Sequence, residues 1–141
     1  MDFKQLLKND FIILDGAMGT MLQAAGLEAG GIPELLNITD PELIENIHKK
    51  YIEAGSDIVY ANTFGANRYK LKNHSVDEII GAGIAIAKRA CNGKALAALD
   101  IGPIGQLLEP TGTLKFEEAY DIFKEQIIAG RDADVIVFET M

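Results

Sequence analysis

The residues of this chain best suited to chemistry are polar groups that each close a short apolar run. Asp15 follows residues 11–14, Asn62 and Thr63 follow 58–61, Asp100 follows 95–99, and Glu139 with Thr140 follows 135–138. A carboxylate in such a place can pair with an ammonium group, and an amide or hydroxyl can both donate and accept. The segment Asp15-Gly-Ala-Met-Gly-Thr20 sets two glycines behind an acid, where backbone amides can approach a small anionic group such as a carboxylate. Any one of these acids is as readily a cap or a loop-fixing group. Together they point to one edge of a sheet, the edge where ligands sit in barrels and open α/β sheets.

Other candidates carry less. In Asn62-Thr-Phe-Gly-Ala-Asn67, Gly65 permits a positive backbone angle within a polar turn, and Asp100-Ile-Gly-Pro-Ile-Gly105 reads as a rigid bend fixed by its proline. His48 and His74 lack a partner at metal-ligand spacing and are expected in solvent, and Cys91 on an apolar stripe is expected to be packing material. A phosphate-handling loop after Asp15 is a rival reading, weakened because no lysine follows the glycines.

These groups need a frame to position them. The four apolar runs do not alternate with polar residues, which is the mark of strands buried on both faces of a parallel sheet. Between them lie three helical patterns. Thr39, Pro41 and Glu42 signal a start for the stripe Leu43, Ile44, Ile47, Tyr51 and Ile52, which ends at Gly55. Ser75 with Glu78 opens a second stripe that breaks at Asn92-Gly93, and Phe116 to Ile128 carries a third that stops at Gly130. A short helical lead occupies residues 3–7. The order predicts an α/β fold with four parallel strands. A faint echo, Gly-Ser-Asp57-Ile-Val against Asp-Ala-Asp134-Val-Ile-Val, suggests a repeated βα module.

Composition bounds the rest. The 141 residues, 48% hydrophobic and 24% charged, suit one ordinary globular domain over 1–141. With 13 basic against 21 acidic side chains the net charge is −8, which disfavours nucleic acid and anionic membrane surfaces as partners. A single cysteine and the lack of a leader-like or membrane-spanning stretch point to the cytoplasm.

Taken in order, the strings LDGAMGTML at 14–22, LNITDPELI at 36–44, YIEAGSDIVYANTFGANRYKL at 51–71, DIGPIGQLLEPTG at 100–112 and FETM at 138–141 resemble the homocysteine S-methyltransferase family, and within it the homocysteine-binding module of the cobalamin-dependent branch. The resemblance covers nearly all of the chain. It implies half of a (β/α)8 barrel and a reaction in which homocysteine, its sulfur held as a thiolate by zinc, takes a methyl group to become methionine. It also implies substrate-binding roles for Asp15, Gly16, Thr20, Asn62, Thr63 and Glu139.

The family's zinc-binding cysteines, including a Gly-Gly-Cys-Cys-Gly segment, have no counterpart here. Zinc and methylcobalamin are therefore expected only in a longer parent protein, neither bound by this segment, which is expected to be inactive alone. The expected partners are homocysteine, the remaining half-barrel and a second copy of the chain, since bare strand edges favour association into a pseudo-barrel. A flattened, flavodoxin-like sheet and a non-catalytic assembly module are the alternatives.

Overall fold

The computed structural model describes residues 2–28 and 30–141. A short helix α1 (Phe3–Leu6) leads into α2 (Met18–Ala24), then a 3-10 turn (Pro33–Leu35), α3 (Leu36–Thr39) and α4 (Pro41–Glu53). Strand β1 (Ile58–Tyr60) is followed by α5 (Arg68–Leu71) and α6 (Val76–Cys91), strand β2 (Leu96–Ile101) by α7 (Phe116–Ala129), and the last element is β3 (Val135–Phe138). The strands form one open sheet in the order β1-β2-β3, and both pairings are parallel.

The expectation of four strands is corrected to three. Residues 11–14 do run beside β1, but only Leu14 makes an isolated parallel bridge, to Ile58. The cause is a substitution of hydrogen-bonding groups. Ile58 N–H donates to Ile13 O at 3.3 Å and Asp15 N–H to Ile58 O at 3.1 Å, as a parallel bridge requires, while Asp57 N–H also donates to Ile13 O at 2.7 Å. The Tyr60 N–H, however, donates to the Asp15 side chain (Oδ2, 3.1 Å), and the Ile13 N–H donates to the Asp57 side chain (Oδ2, 2.9 Å). Carboxylates occupy rungs that carbonyls would otherwise fill, so the regular ladder never extends.

The sequence echo has a structural counterpart. Asp134 repeats at β3 what Asp57 does at β1: its N–H donates to Ala97 O at 2.9 Å while its Oδ2 accepts the Ala97 N–H at 2.9 Å. Each aspartate thus clamps the start of its own strand to the neighbouring chain.

The helices follow their local signals with one shift. Ser75 accepts the Glu78 N–H at 3.2 Å to start α6, and Asn92 ends it in the left-handed conformation at φ 43°. At α4 the cap is Asp40, which accepts the Leu43 N–H at 3.2 Å, and not Thr39. Thr39 instead donates its hydroxyl to Leu35 O at 3.3 Å and closes α3.

Alternation along β2 divides the core. Ala97, Leu99 and Ile101 face α6 within a cluster that includes Val59, Ile80 and Ile84. Leu96 and Ala98 face the other way, with Ile58 of β1 and Leu6 of α1, and Val135 and Val137 pack on that side. This second face is where the site residues emerge, because Asp100 continues 96 and 98, and Glu139 continues 135 and 137.

Candidate active site at the carboxyl ends of the strands

A cavity of about 310 Å³ opens where the strands end. It is lined by Asp15, Gly16, Ala17 and Met18, by residues 60–64, and by Asp100 and Glu139. Of the six residues expected to bind substrate, five line it; Thr20 lies exposed on α2 outside the lining.

Each wall is held by its own local logic. Asp15 is fixed by the Tyr60 N–H described above. Gly16 is where the ring of Tyr51 passes: a Cβ there would stand 2.8 Å from Tyr51 Cε1, and the Tyr51 hydroxyl donates to Ala17 O at 3.0 Å. A side chain at 16 would therefore push the loop off its support. Glu139 is placed by continued sheet pairing, its N–H donating to Ile101 O at 3.1 Å.

Asn62 and Thr63 are buried, and their side chains are engaged within the protein. The Asn62 amide donates to Pro33 O at 2.9 Å and to Asn37 Oδ1 at 3.0 Å. Asn37 in turn donates to Asn62 O at 2.8 Å and Ile79 O at 3.1 Å. The Thr63 hydroxyl donates to Asp100 O at 2.9 Å and accepts the Asp100 N–H at 3.1 Å. These two residues build the floor. Gly65, expected for a positive φ, has none; it is needed because buried Glu34 accepts its N–H at 2.6 Å, leaving no space for a Cβ.

The electrostatics are one-sided. Burial, reinforced by neighbouring Glu139, pushes the Asp15 carboxyl up to about 7 against the pull of its backbone hydrogen bonds. Burial, then Glu139, Asp15 and Glu34, pushes Asp100 up to about 7 as well. Burial, then Glu139, Asp100 and Asp15, raises the Tyr60 phenol. Among the described residues no lysine, arginine or histidine lines the cavity. A phosphate would meet like charge here, whereas an ammonium group would meet acceptors.

Sequence reasoning set Asp100 among the strand-end polar groups but gave it no substrate-binding role, because the Gly-Pro that follows Ile101 reads as a bend. The signal was present in the period-two continuation of Leu96 and Ala98. It also missed Glu34 and the apolar wall of Met18 and Phe64. Two expectations outside the cavity divide: His74 is exposed, while His48, expected in solvent, is fully buried on α4 with neither ring nitrogen hydrogen-bonded. Burial lowers His48 to about 4, so it stays neutral in the core.

Comparison with known proteins places the chain. The sequence profile described as homocysteine S-methyltransferase matches residues 12–141. The chain belongs to the homocysteine S-methyltransferase family. It is 35% identical to methionine synthase of Mycobacterium tuberculosis and 33% identical to that of Mycobacterium leprae; in each case the match takes in 99% of this chain and 13% of the relative. Among solved structures it is similar to the metallated form of the homocysteine methyltransferase MmuM from Escherichia coli, with a TM-score of 0.84 at 22% identity over 99% of this chain and 57% of that one. The oxidized form of MmuM gives a TM-score of 0.79, also at 22% identity, over 93% of this chain and 53% of that one. The three parallel strands and their helices therefore share the fold of those enzymes, and the chain spans only part of each relative's length.

The residues present do not fit the zinc that the family resemblance implies. Among the described residues no group of three or more His, Cys, Asp or Glu could hold a metal ion. Cys91 is buried on α6, where burial pushes its thiol up to about 11. Among the described residues no helix is long and apolar enough to cross a membrane.

Proposed function

We propose that this chain forms the part of a homocysteine S-methyltransferase that grips the amino-acid end of homocysteine. Asp15 and Glu139 face the substrate ammonium, and the main chain at Gly16 faces its carboxylate. Asn62 and Thr63 form the floor, and Thr20 contributes only through α2, whose first residue, Met18, lines the cavity. The observation that carries this reading is the convergence of acids from two separated strand ends on one cavity with no basic side chain.

Homocysteine needs its sulfur held as well as its tail, because a free thiol near pKa ~8.5 is largely protonated at neutral pH. Among the described residues no group meets that need, so in this reading the zinc, the methyl donor and methylcobalamin belong to the complete enzyme, and the chain alone is inactive. The test supplies the chain with the remaining barrel strands of a relative and titrates homocysteine. Asp15→Asn and Glu139→Gln should each weaken binding by about tenfold, the worth of one charge-assisted contact. Methyl transfer by the isolated chain without metal would overturn the reading.

A second reading, a non-catalytic module that self-associates, is favoured by one observation. Apolar side chains are exposed along both sides of the sheet: Phe11, Ile13 and Leu14 beside β1, and Ile136 and Phe138 on β3. Sedimentation showing a stable oligomer that binds no homocysteine would support it.

A further inference from the structure

Among the described residues, Asp100 is a buried acid with an unsatisfied carboxylate oxygen. Its residue is 5% exposed, and its Oδ1 is buried without a hydrogen-bond partner. Its backbone is fixed on both sides by one group, since the Thr63 hydroxyl both donates to its carbonyl and accepts its N–H. The clamp sets the direction of the side chain, and alternation along β2 sends it into the cavity with Glu139 and Asp15. A buried, unpartnered polar oxygen costs on the order of 1–3 kcal/mol and calls for an explanation.

No internal partner answers it. The charged and titratable groups that face Asp100 are Asp15 from the loop before α2, Tyr60 on β1, Glu34 on the 3-10 turn and Glu139 after β3, and none is a cation. The missing partner is therefore a cation from outside the chain. A metal ion does not fit, because these acids do not form a metal-holding group. An alkylammonium does: it brings three N–H donors that can be shared among separate carboxylates.

We propose that Asp100 is a third anionic contact for the substrate's α-ammonium, beside Asp15 and Glu139, and that it makes the site selective for an amino acid over the same thiol acid without its amine. This rests on the reading of the cavity as the site for the amino-acid end of homocysteine. It gives the Thr63 hydroxyl a task as the positioning group of Asp100.

A consequence separates this role from a structural one. Asp15 and Asp100 both titrate near 7 in the empty cavity, and only their ionised forms attract an ammonium. Ligand binding must then expel the protons they carry. Affinity rises with pH by about tenfold per carboxylate between pH 6 and 8, hence about a hundredfold for two.

The experiment measures binding by calorimetry to the chain supplied, metal-free, with the remaining barrel strands of a relative, using two probes: L-homocysteine and 4-sulfanylbutanoic acid, which differs only in lacking the ammonium. Asp100→Asn should weaken homocysteine about tenfold, leave 4-sulfanylbutanoic acid unchanged, and cut the pH dependence from about a hundredfold to about tenfold. Repeating the wild-type titration at pH 6.5 in buffers of different ionisation enthalpy should show more than one proton released per homocysteine, a readout that needs no variant to fold. Equal weakening of both probes, an unchanged affinity for homocysteine, or release of one proton or fewer would each overturn the role of Asp100 while leaving the amino-acid site standing. Failure of the wild-type complemented protein to bind either probe would remove the site reading itself, and this inference with it.

Discussion

Acids stand at both ends of the sheet, and they live under opposite conditions. At the amino end, Asp57 and Asp134 each accept a backbone N–H from the adjacent chain at 2.9 Å, and Asp134 also meets Lys88 Nζ at 3.2 Å. At the carboxyl end, Asp15 has one backbone amide from β1, Asp100 has a buried oxygen with nothing to accept, and no cation lines the cavity they share. The same side chain is thus spent on building at one end and held in reserve at the other. Aspartate is a fold determinant where its partners are internal and, on the function proposed above, a recognition group where they are withheld.

The contrast can be broken most forcefully by pH. The Asp15 and Asp100 carboxyls rise from 3.8 in the unfolded chain to about 7 in the fold, so the folded state holds more protons between those values. The stability they contribute is full below pH ~4 and is lost as pH rises through 7. Discounted for solvent access, the two together should cost on the order of 3 kcal/mol between pH 5 and 8. Denaturant titrations of wild type and of the Asp15→Asn/Asp100→Asn double variant should show this decline only in the former. An equal slope in both would mean that the two ends do not differ.

His48 supplies the opposite slope and must be separated from it. Its value falls from 6.5 to about 4 on folding, so its contribution is present above pH ~6.5 and is lost as pH falls through 4. His48→Leu should remove roughly 2 kcal/mol of the acid-side loss between pH 7 and 5, leaving the decline at higher pH intact. Asp134→Ala is expected to cost about 1 kcal/mol by freeing the Ala97 amide, with homocysteine affinity unchanged. The smallest effect is expected for Arg68→Ala, which breaks an exposed pair with Glu125 at 2.9 Å; under ~0.5 kcal/mol should separate it from wild type in the same titration.

How much of this was legible in the sequence depended on whether the signal was local. Ser75, Asn92 and Gly130 mark helix ends through groups a few residues away, and the structure follows them. The position of Asp40 rather than Thr39 at the head of α4 is a shift of one residue between two competent caps. Residues 11–14 have the composition of a strand, yet the ladder fails because Asp15 and Asp57 offer side-chain oxygens in place of backbone ones, a choice made by partners 44 and 45 residues apart in the chain. The cavity was legible as a set of strand-end polar residues, five of which line it. What stayed hidden was which of them are already engaged: Asn62 and Thr63 look like free donors until Asn37 and the Asp100 backbone are seen to occupy them. His48 was hidden because its helix is amphipathic by its aliphatic residues, and nothing in the spacing shows that α6 closes over the neighbouring face.

The amide of Tyr60 carries a further consequence. Its hydrogen is given to a carboxylate that also lines the cavity, so this strand is tethered through the group that the proposed function sets against an arriving ammonium. Any charge that draws the Asp15 oxygens toward itself tugs on that tether. Solvent exchange of this one proton should therefore report occupancy of the cavity, turning a missing rung into a built-in sensor.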